Sequence, residues 1–196
     1  MIVTAHELTR PRWLGVLLCV FLWLGIPAAQ AETPVLWQED AQRFRVGLKI
    51  FPACLGAVES LADALAPDGS LQVLVVYEGS DETARQALSS LETIDRIRGY
   101  PLRLRILSAS ALDEETETRA GGIFVASVGL NPKRLRIWSE RGRVLVFSPF
   151  AGDVEAGAVA GLHVADRILP AVNTAQAQRA RIRFKAFFLK VAWQHD

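Results

Sequence analysis

Cysteine and histidine are scarce in this 196-residue chain, which contains two cysteines and three histidines. Cys19 lies within an apolar N-terminal run, so the rest of the chain holds only Cys54 and cannot form an internal disulfide. With His163 and His195 as the other soft ligands of that remainder, no zinc-binding spacing exists. We therefore expect no metal site and expect packing to supply the stability, with Cys54 as a buried apolar side chain.

The sequence also lacks the motifs that mark nucleotide-binding and hydrolase turns, namely G-x-G-x-x-G, G-x-x-x-x-G-K-[ST] and G-x-S-x-G. The turn after the first predicted strand is Glu78-Gly79-Ser80-Asp81, whose negative charge repels a phosphate. A serine nucleophile needs a histidine base, and His163 is the only internal candidate. We therefore predict that the protein is not an enzyme and holds no cofactor.

Neither sign of charge is in large excess, because 22 basic side chains face 21 acidic ones. The first 31 residues carry Arg10, Arg12 and Glu7, so the remainder is formally neutral. Proteins that bind nucleic acid normally show a basic excess that neutralises phosphates. The sequence therefore argues against nucleic acid as a partner.

The uncharged apolar run at residues 13–26 is shorter than the about 20 residues that span a bilayer, which disfavours the alternative of a membrane anchor. Arg10 and Arg12 precede this run, Pro27 ends it, and Ala29-Gln30-Ala31 supplies the small-x-small pattern of a cleavage site. We predict a signal peptide over residues 1–31, cleaved after Ala31. The product, residues 32–196, is expected to be one periplasmic domain without a stable anchor.

Apolar side chains then recur at spacings of three and four from Phe44 to Leu65, which predicts a helix that kinks or restarts at Pro52. Four apolar runs predict strands, of which the second alternates with arginine and resembles an edge strand. The runs are residues 71–77, 102–107, 123–128 and 144–147. Between them we predict one helix from a Ser80 cap to a Gly99 stop and another from Asn131-Pro132 to Gly142.

Strands that alternate with helices predict an α/β fold with three layers and a mostly parallel sheet. Since only the second strand resembles an edge, we predict the strand order 2-1-3-4. Short apolar runs at residues 158–164 and 168–172 indicate an antiparallel C-terminal hairpin, and residues 184–192 indicate a final helix.

Around this hairpin the sequence predicts an exposed polar rim of Asp153, Glu155, His163 and Arg167. The first three could converge on a cation, but such residues in a surface loop more often form a solvated rim. Gly157 and Gly161 are expected at positions where the backbone, and not a side-chain contact, requires glycine.

Further on, Arg179, Arg181, Arg183 and Lys185 alternate with apolar residues. One interpretation is an extended or edge segment with a solvated face. The alternative is a contact stripe for an acidic partner or for lipid headgroups.

The block from Gly152 to Gly161, the following hairpin and the closing Phe188-Leu189-Lys190-Val191-Ala192 resemble the C-terminal block of the YfiR-like family of periplasmic regulators. Gly157, Arg167 and Asn173 fall at the family's glycine, turn arginine and asparagine positions. The resemblance extends upstream to Phe51-Pro52, which matches the aromatic-proline pair after the family's first helix.

This resemblance implies a small periplasmic α/β protein, often a homodimer, that binds the sensing domain of an inner-membrane diguanylate cyclase or sensor kinase. Its function would be to repress that partner, and thereby to regulate cyclic-di-GMP and biofilm formation. The alternative is a solute-binding component of an ABC-type transport system, because residues 152–162 are also similar to end segments of ABC-type periplasmic binding proteins. Those normally have two lobes, whereas residues 32–196 supply one.

Overall fold

The computed structural model describes residues 38–115 and 119–196. The predicted leader at residues 1–31 lies outside this part of the chain. Among the residues that are described, no helix combines the length and the apolar character needed to cross a membrane.

The chain enters the described region through helix α1, Gln38–Gly56. Its apolar stripe buries Phe44 and Phe51 against the sheet. The predicted restart at Pro52 is wrong, because the helix continues through the proline to Gly56. Proline removes one backbone donor, and we attribute the continuity to the buried contacts of the flanking turns. The stripe instead breaks after Gly56, where a 3-10 helix, Leu61–Ala64, carries the last buried leucine.

Eight strands form one mixed sheet in the order β2-β3-β1-β4-β5-β6-β7-β8. The order β3-β1-β4-β5 is parallel throughout and confirms the predicted arrangement 2-1-3-4. The antiparallel pair β6 and β7 confirms the predicted hairpin. The strands are β1, Leu71–Tyr77; β2, Arg96–Ile97; β3, Tyr100–Ser108; β4, Gly122–Val125; β5, Leu145–Ser148; β6, Ala160–Val164; β7, Ile168–Asn173; and β8, Trp193–His195.

In the part of the chain that the structure describes, six further α-helices connect the strands or follow them. The longest begins as predicted, because the Asn131 side-chain oxygen accepts a hydrogen bond from the backbone N–H of Lys133 at 2.9 Å, with Pro132 as the first helical residue. The helices are α2, Glu82–Leu91; α3, Ala109–Glu114; α4, Pro132–Gly142; α5, Asp153–Ala156; α6, Thr174–Arg179; and α7, Ala186–Leu189.

The predicted second helix is too long, since α2 ends at Leu91 instead of continuing toward Gly99. The chain forms β2 instead, which pairs antiparallel with the start of β3 through Ile97 and Tyr100. Arg98 and Gly99 both have positive φ, 53° and 87°, as the two-residue turn of a tight hairpin requires. Because the first of these positions is an arginine, the turn does not match the Asn-Gly or Gly-Gly pairs that usually predict a tight hairpin.

The C-terminal segment also differs from the single helix expected over residues 184–192. Helix α7 covers only Ala186–Leu189, and β8 then adds a strand parallel to β7. The Thr174 hydroxyl donates a hydrogen bond to the His195 carbonyl at 3.1 Å, which helps to hold the end of the chain beside β7. The short apolar run therefore splits between a helical turn that buries Phe188 and an edge strand.

Four phenylalanines form the centre of the core between α1 and the sheet. Phe44, Phe51, Phe124 and Phe147 have ring centroids 5.4–5.8 Å apart, in edge-to-face, tilted and stacked pairs. Cys54 is fully buried nearby, and this burial raises the pKa of its thiol far above the ordinary value. The thiol therefore stays protonated and behaves as a core side chain.

Candidate functional site

The two ends of the parallel strands differ in how their polar residues are arranged. The carboxyl end is where β1, β4 and β5 finish, and the amino end is where they begin. In parallel α/β sheets, ligands commonly bind at the carboxyl end, where the strand order reverses. In this chain that reversal falls between β1 and β4.

At the carboxyl end, one arginine joins three elements through side-chain contacts. Arg134 of α4 contacts Glu78 after β1 at 2.5 Å and Asp113 of α3 at 2.9 Å. The other oxygen of Asp113 accepts a hydrogen bond from the Trp138 indole N–H at 2.8 Å. We call Glu78, Asp113, Arg134 and Trp138 the carboxyl-end latch. Each of these four residues thus has an ion-pair or hydrogen-bond partner within the protein.

The loops after β1 and β4 are also joined directly. The Ser127 hydroxyl accepts from the backbone N–H of Glu78 at 3.0 Å and lies 3.2 Å from the Glu78 carbonyl, to which it donates. The crevice that this fold commonly uses for ligands is therefore bridged by the protein's own hydrogen bonds.

Asp153 was predicted to be part of an exposed rim, and this is wrong. The residue is only 8% exposed at the start of α5, and its carboxylate accepts a hydrogen bond from the Ser148 hydroxyl at 2.5 Å. Burial raises the pKa of Asp153 to about 6, although the Ser148 hydrogen bond acts in the opposite direction. This hydrogen bond joins the end of β5 to the start of α5.

At the amino end, an open cleft of about 1330 Å³ lies between the sheet and the C-terminal segment. Its apolar lining includes the buried side chains of Val172, Ile182 and Phe184. We call it the arginine cleft, because four arginines belong to its lining. These are Arg119, Arg143, Arg181 and Arg183.

One wall of the cleft is the segment in which arginine alternates with apolar residues. The backbone N–H of Glu59 donates to the Arg183 carbonyl at 2.8 Å, and the N–H of Lys185 donates to the Ala57 carbonyl at 2.9 Å. Phe184 thus forms an antiparallel bridge with Val58. Its apolar residues Ala180, Ile182 and Phe184 are buried, whereas its arginines are exposed.

Two of the cleft's arginines have a left-handed backbone. Arg143 has φ of 48° and Arg181 has φ of 58°, a region that costs a non-glycine residue about 1 kcal/mol. Neither side chain forms an ion pair with any residue of 38–115 or 119–196. Both residues end a helix, Arg143 after α4 and Arg181 just after α6, where a left-handed residue is a common stop.

The cleft is not uniformly cationic. Arg183 pairs with Glu59 at 3.2 Å, and the carboxylates of Asp63 and Asp196 also belong to the lining. Asp196 accepts a hydrogen bond from the Thr174 hydroxyl at 2.9 Å. The guanidinium groups of Arg143 and Arg181 are thus the side chains best placed to bind an external carboxylate or another acceptor.

The remaining predicted rim residues do not form one cluster. Glu155 and Arg167 are exposed, while the His163 ring stacks on the Trp193 indole with centroids 4.4 Å apart. Arg179 does not belong to the cleft lining and donates to the Gln176 side-chain oxygen at 2.9 Å. The described residues contain no group of three side chains placed to share a metal ion.

Gly157, Gly161 and Asn173 have structural positions around α5 and α6. Gly157 has φ of 146°, and a Cβ at Gly161 would collide with the Ser148 carbonyl oxygen. Asn173 is buried, accepts from the Gln176 backbone N–H at 2.7 Å and donates to the Val154 carbonyl at 2.7 Å. These three residues therefore lie between the end of β5 and the start of α6.

Sequence reasoning did not find Arg119 and Arg143 as site residues. They lie before β4 and before β5, far along the chain from Arg181, and only the pairing of the two strands brings these positions together. The only local signal is at Arg143, which directly follows the glycine at the end of α4. No periodic pattern connects that position to the C-terminal arginines.

The described residues form an α/β unit with a mostly parallel sheet and an open cleft at its amino end. No protein-family model and no curated protein matches the chain. A solved structure described as an ABC domain in complex with L-Trp, from Streptococcus pneumoniae, is similar in fold with a TM-score of 0.50 at 13% identity. The match covers 72% of this chain and 61% of that one, so this chain spans about three fifths of its neighbour's length.

Proposed function

We propose that this protein is a periplasmic regulatory binding protein that represses an inner-membrane signalling protein through direct contact. The partner would be the periplasmic domain of a diguanylate cyclase or a sensor kinase. The observation that carries the proposal is the arginine cleft, where the exposed residues Arg143 and Arg181 have no ion-pair partner among the described residues.

The size of the cleft favours a protein segment as its occupant. Pockets for small molecules commonly measure about 300–1,000 Å³, and this cleft is larger and open to solvent. Its guanidinium groups and apolar lining suit a segment that presents carboxylates beside apolar side chains.

Deletion of the gene, with a chemical cross-link between the tagged protein and its membrane partner, tests this function. We expect deletion to raise the cyclic-di-GMP level or change surface attachment, and the cross-link to recover a membrane protein with a cyclase or kinase output domain. Unchanged cyclic-di-GMP and attachment, with no membrane sensor in the cross-linked fraction, would contradict the proposal.

The second candidate is a solute-binding component of a transport system. It is favoured by the fold likeness to the ABC domain that was solved with L-Trp. If a ligand of this class binds the folded state alone, it raises the melting temperature as its concentration exceeds the dissociation constant. A rise of several degrees with L-Trp or another amino acid, lost in Arg143→Gln, would favour solute binding over regulation by contact.

A further inference from the structure

Within the described residues, the outer edge of β3 has no strand partner along most of its length. Strand β2 pairs only with Tyr100 and Pro101, whereas β3 continues to Ser108. No strand from residues 38–115 or 119–196 pairs with this edge beyond Pro101, while the inner edge is fully paired with β1. Exposed edges of this length are templates for another strand.

The direction of the free backbone groups follows from one hydrogen bond. The N–H of Leu102 donates outward to the Asp95 carbonyl at 3.0 Å. Because backbone groups alternate along a strand, the N–H and C=O of Leu104 and Ile106 also point outward. Those of Arg105 and Leu107 point toward β1.

Side-chain exposure supports an open edge. Leu104 and Ile106 are only partly buried, although their register partners on β1, Val73 and Val75, are 0% exposed. A strand beside β3 would cover these apolar side chains on one face. On the other face it would meet Arg103 and Arg105, both of which are exposed.

The arginines decide which kind of strand fits. Antiparallel self-pairing centred on Leu104 would place Arg103 of each copy opposite Arg105 of the other, and like charges at that spacing are destabilising. Arg103 has only a long contact with Asp68, at 3.7 Å between exposed groups, while Arg105 contacts Glu115. An incoming strand with carboxylates on this face would be attracted.

We infer that the free edge of β3 binds an extended segment of the partner protein in which acidic and apolar side chains alternate. This inference rests on the proposed function, because it names a second contact surface for the same partner. Outward backbone groups of Leu104 and Ile106 supply hydrogen bonds, and Arg103 and Arg105 select the charge.

Amide exchange of the purified protein with a synthetic alternating Glu/Val peptide of about eight residues tests the inference. We expect the peptide to slow exchange at Leu104 and Ile106, while the Arg105 and Leu107 amides, already paired with β1, serve as internal controls. A Lys/Val peptide should bind at least about tenfold more weakly, and Arg103→Glu with Arg105→Glu should reverse that preference.

Ile106→Pro removes one outward donor, and the charge reversal provides an independent variant if the proline perturbs folding. Equal binding of both peptides, no slowing at Leu104 and Ile106 at about 1 mM peptide, or a dimer paired through β3 would overturn the inference. The proposed function would survive these results if the deletion phenotype and the cross-link to a membrane sensor are still observed.

Discussion

Arg134 at the carboxyl end of the sheet lies between two carboxylates, at 2.5 Å from Glu78 and 2.9 Å from Asp113. Arg143 and Arg181 at the amino end face the open cleft and form no ion pair among the described residues. Arginine therefore has a different place at each end of the sheet. At the carboxyl end it joins elements of the fold, and at the amino end it has no ion-pair partner among the described residues. The conventional ligand end of the fold is bridged by the protein's own contacts, whereas the open cleft with Arg143 and Arg181 lies at the opposite end.

The carboxyl end should tolerate the least change, and Gly161→Ala should have the largest effect. A Cβ at this position would collide with the Ser148 carbonyl oxygen, which is backbone in the adjacent strand and cannot move cheaply. We expect a loss of about 3 kcal/mol in the free energy of unfolding, measured by chemical denaturation. Gly56→Ala is the control, since its nearest neighbour outside the helix lies 3.7 Å away and stability should change little.

Asp153 gives the carboxyl end a distinct pH dependence. Burial raises its folded-state pKa to about 6 from the ordinary 3.8, so the folded protein binds the proton more tightly than the unfolded chain. Its contribution to stability is therefore full below about pH 4 and is lost as pH rises to about 6, by at most about 3 kcal/mol.

Asp153→Asn should remove this slope, since the amide stays neutral and can still accept from Ser148. Denaturation of both proteins between about pH 4 and pH 7 measures the difference, which cancels the titration of other carboxylates. Identical pH profiles for the two proteins would show that the Asp153 pKa is not raised.

The carboxyl-end latch should contribute less, because its charged groups are partly exposed. Asp113→Ala removes the contacts to Arg134 and Trp138, and we expect a loss of about 1 kcal/mol in the free energy of unfolding. Asp81→Ala breaks an exposed pair with Arg85 on α2 and should cost clearly less. If the two variants lose the same free energy of unfolding, the carboxyl-end latch contributes no more than an exposed ion pair.

A substitution at the amino end should raise the free energy of unfolding instead of lowering it. Arg143→Gly relieves a left-handed arginine, so we expect unfolding to require about 0.5–1 kcal/mol more while binding through the cleft weakens. A thermal or chemical denaturation curve measures the first effect. Lower stability of the variant would mean that the side chain is structural, and the contrast between the two ends would fail.

The parallel order of the four central strands could be predicted because each strand is a distinct apolar run and only one run alternates. The hairpin β2–β3 could not, since Arg98 occupies a turn position that normally carries asparagine or glycine. Sequence indicated Arg181 and Arg183 through their alternation with buried residues. Arg119 and Arg143 reach the same cleft only because the strands pair in the folded sheet. No local sequence pattern predicts that proximity.

The burial of Asp153 likewise could not be predicted from the sequence. A carboxylate that directly follows a glycine in a loop is typical of solvent exposure. In the fold, Ser148 and the turn of α5 enclose it, and that contact depends on where β5 ends. Burial of single polar residues therefore depends on tertiary contacts that composition does not contain.

The most direct test of the binding role of the arginine cleft is complementation of a deletion strain with the doubly charge-reversed protein, Arg143→Glu with Arg181→Glu. Arg85→Glu, on the exposed face of α2, is the matched control. At equal levels of exported, folded protein, we predict that the wild type and Arg85→Glu restore the cyclic-di-GMP level and the double variant does not. Full restoration by the double variant would contradict the account.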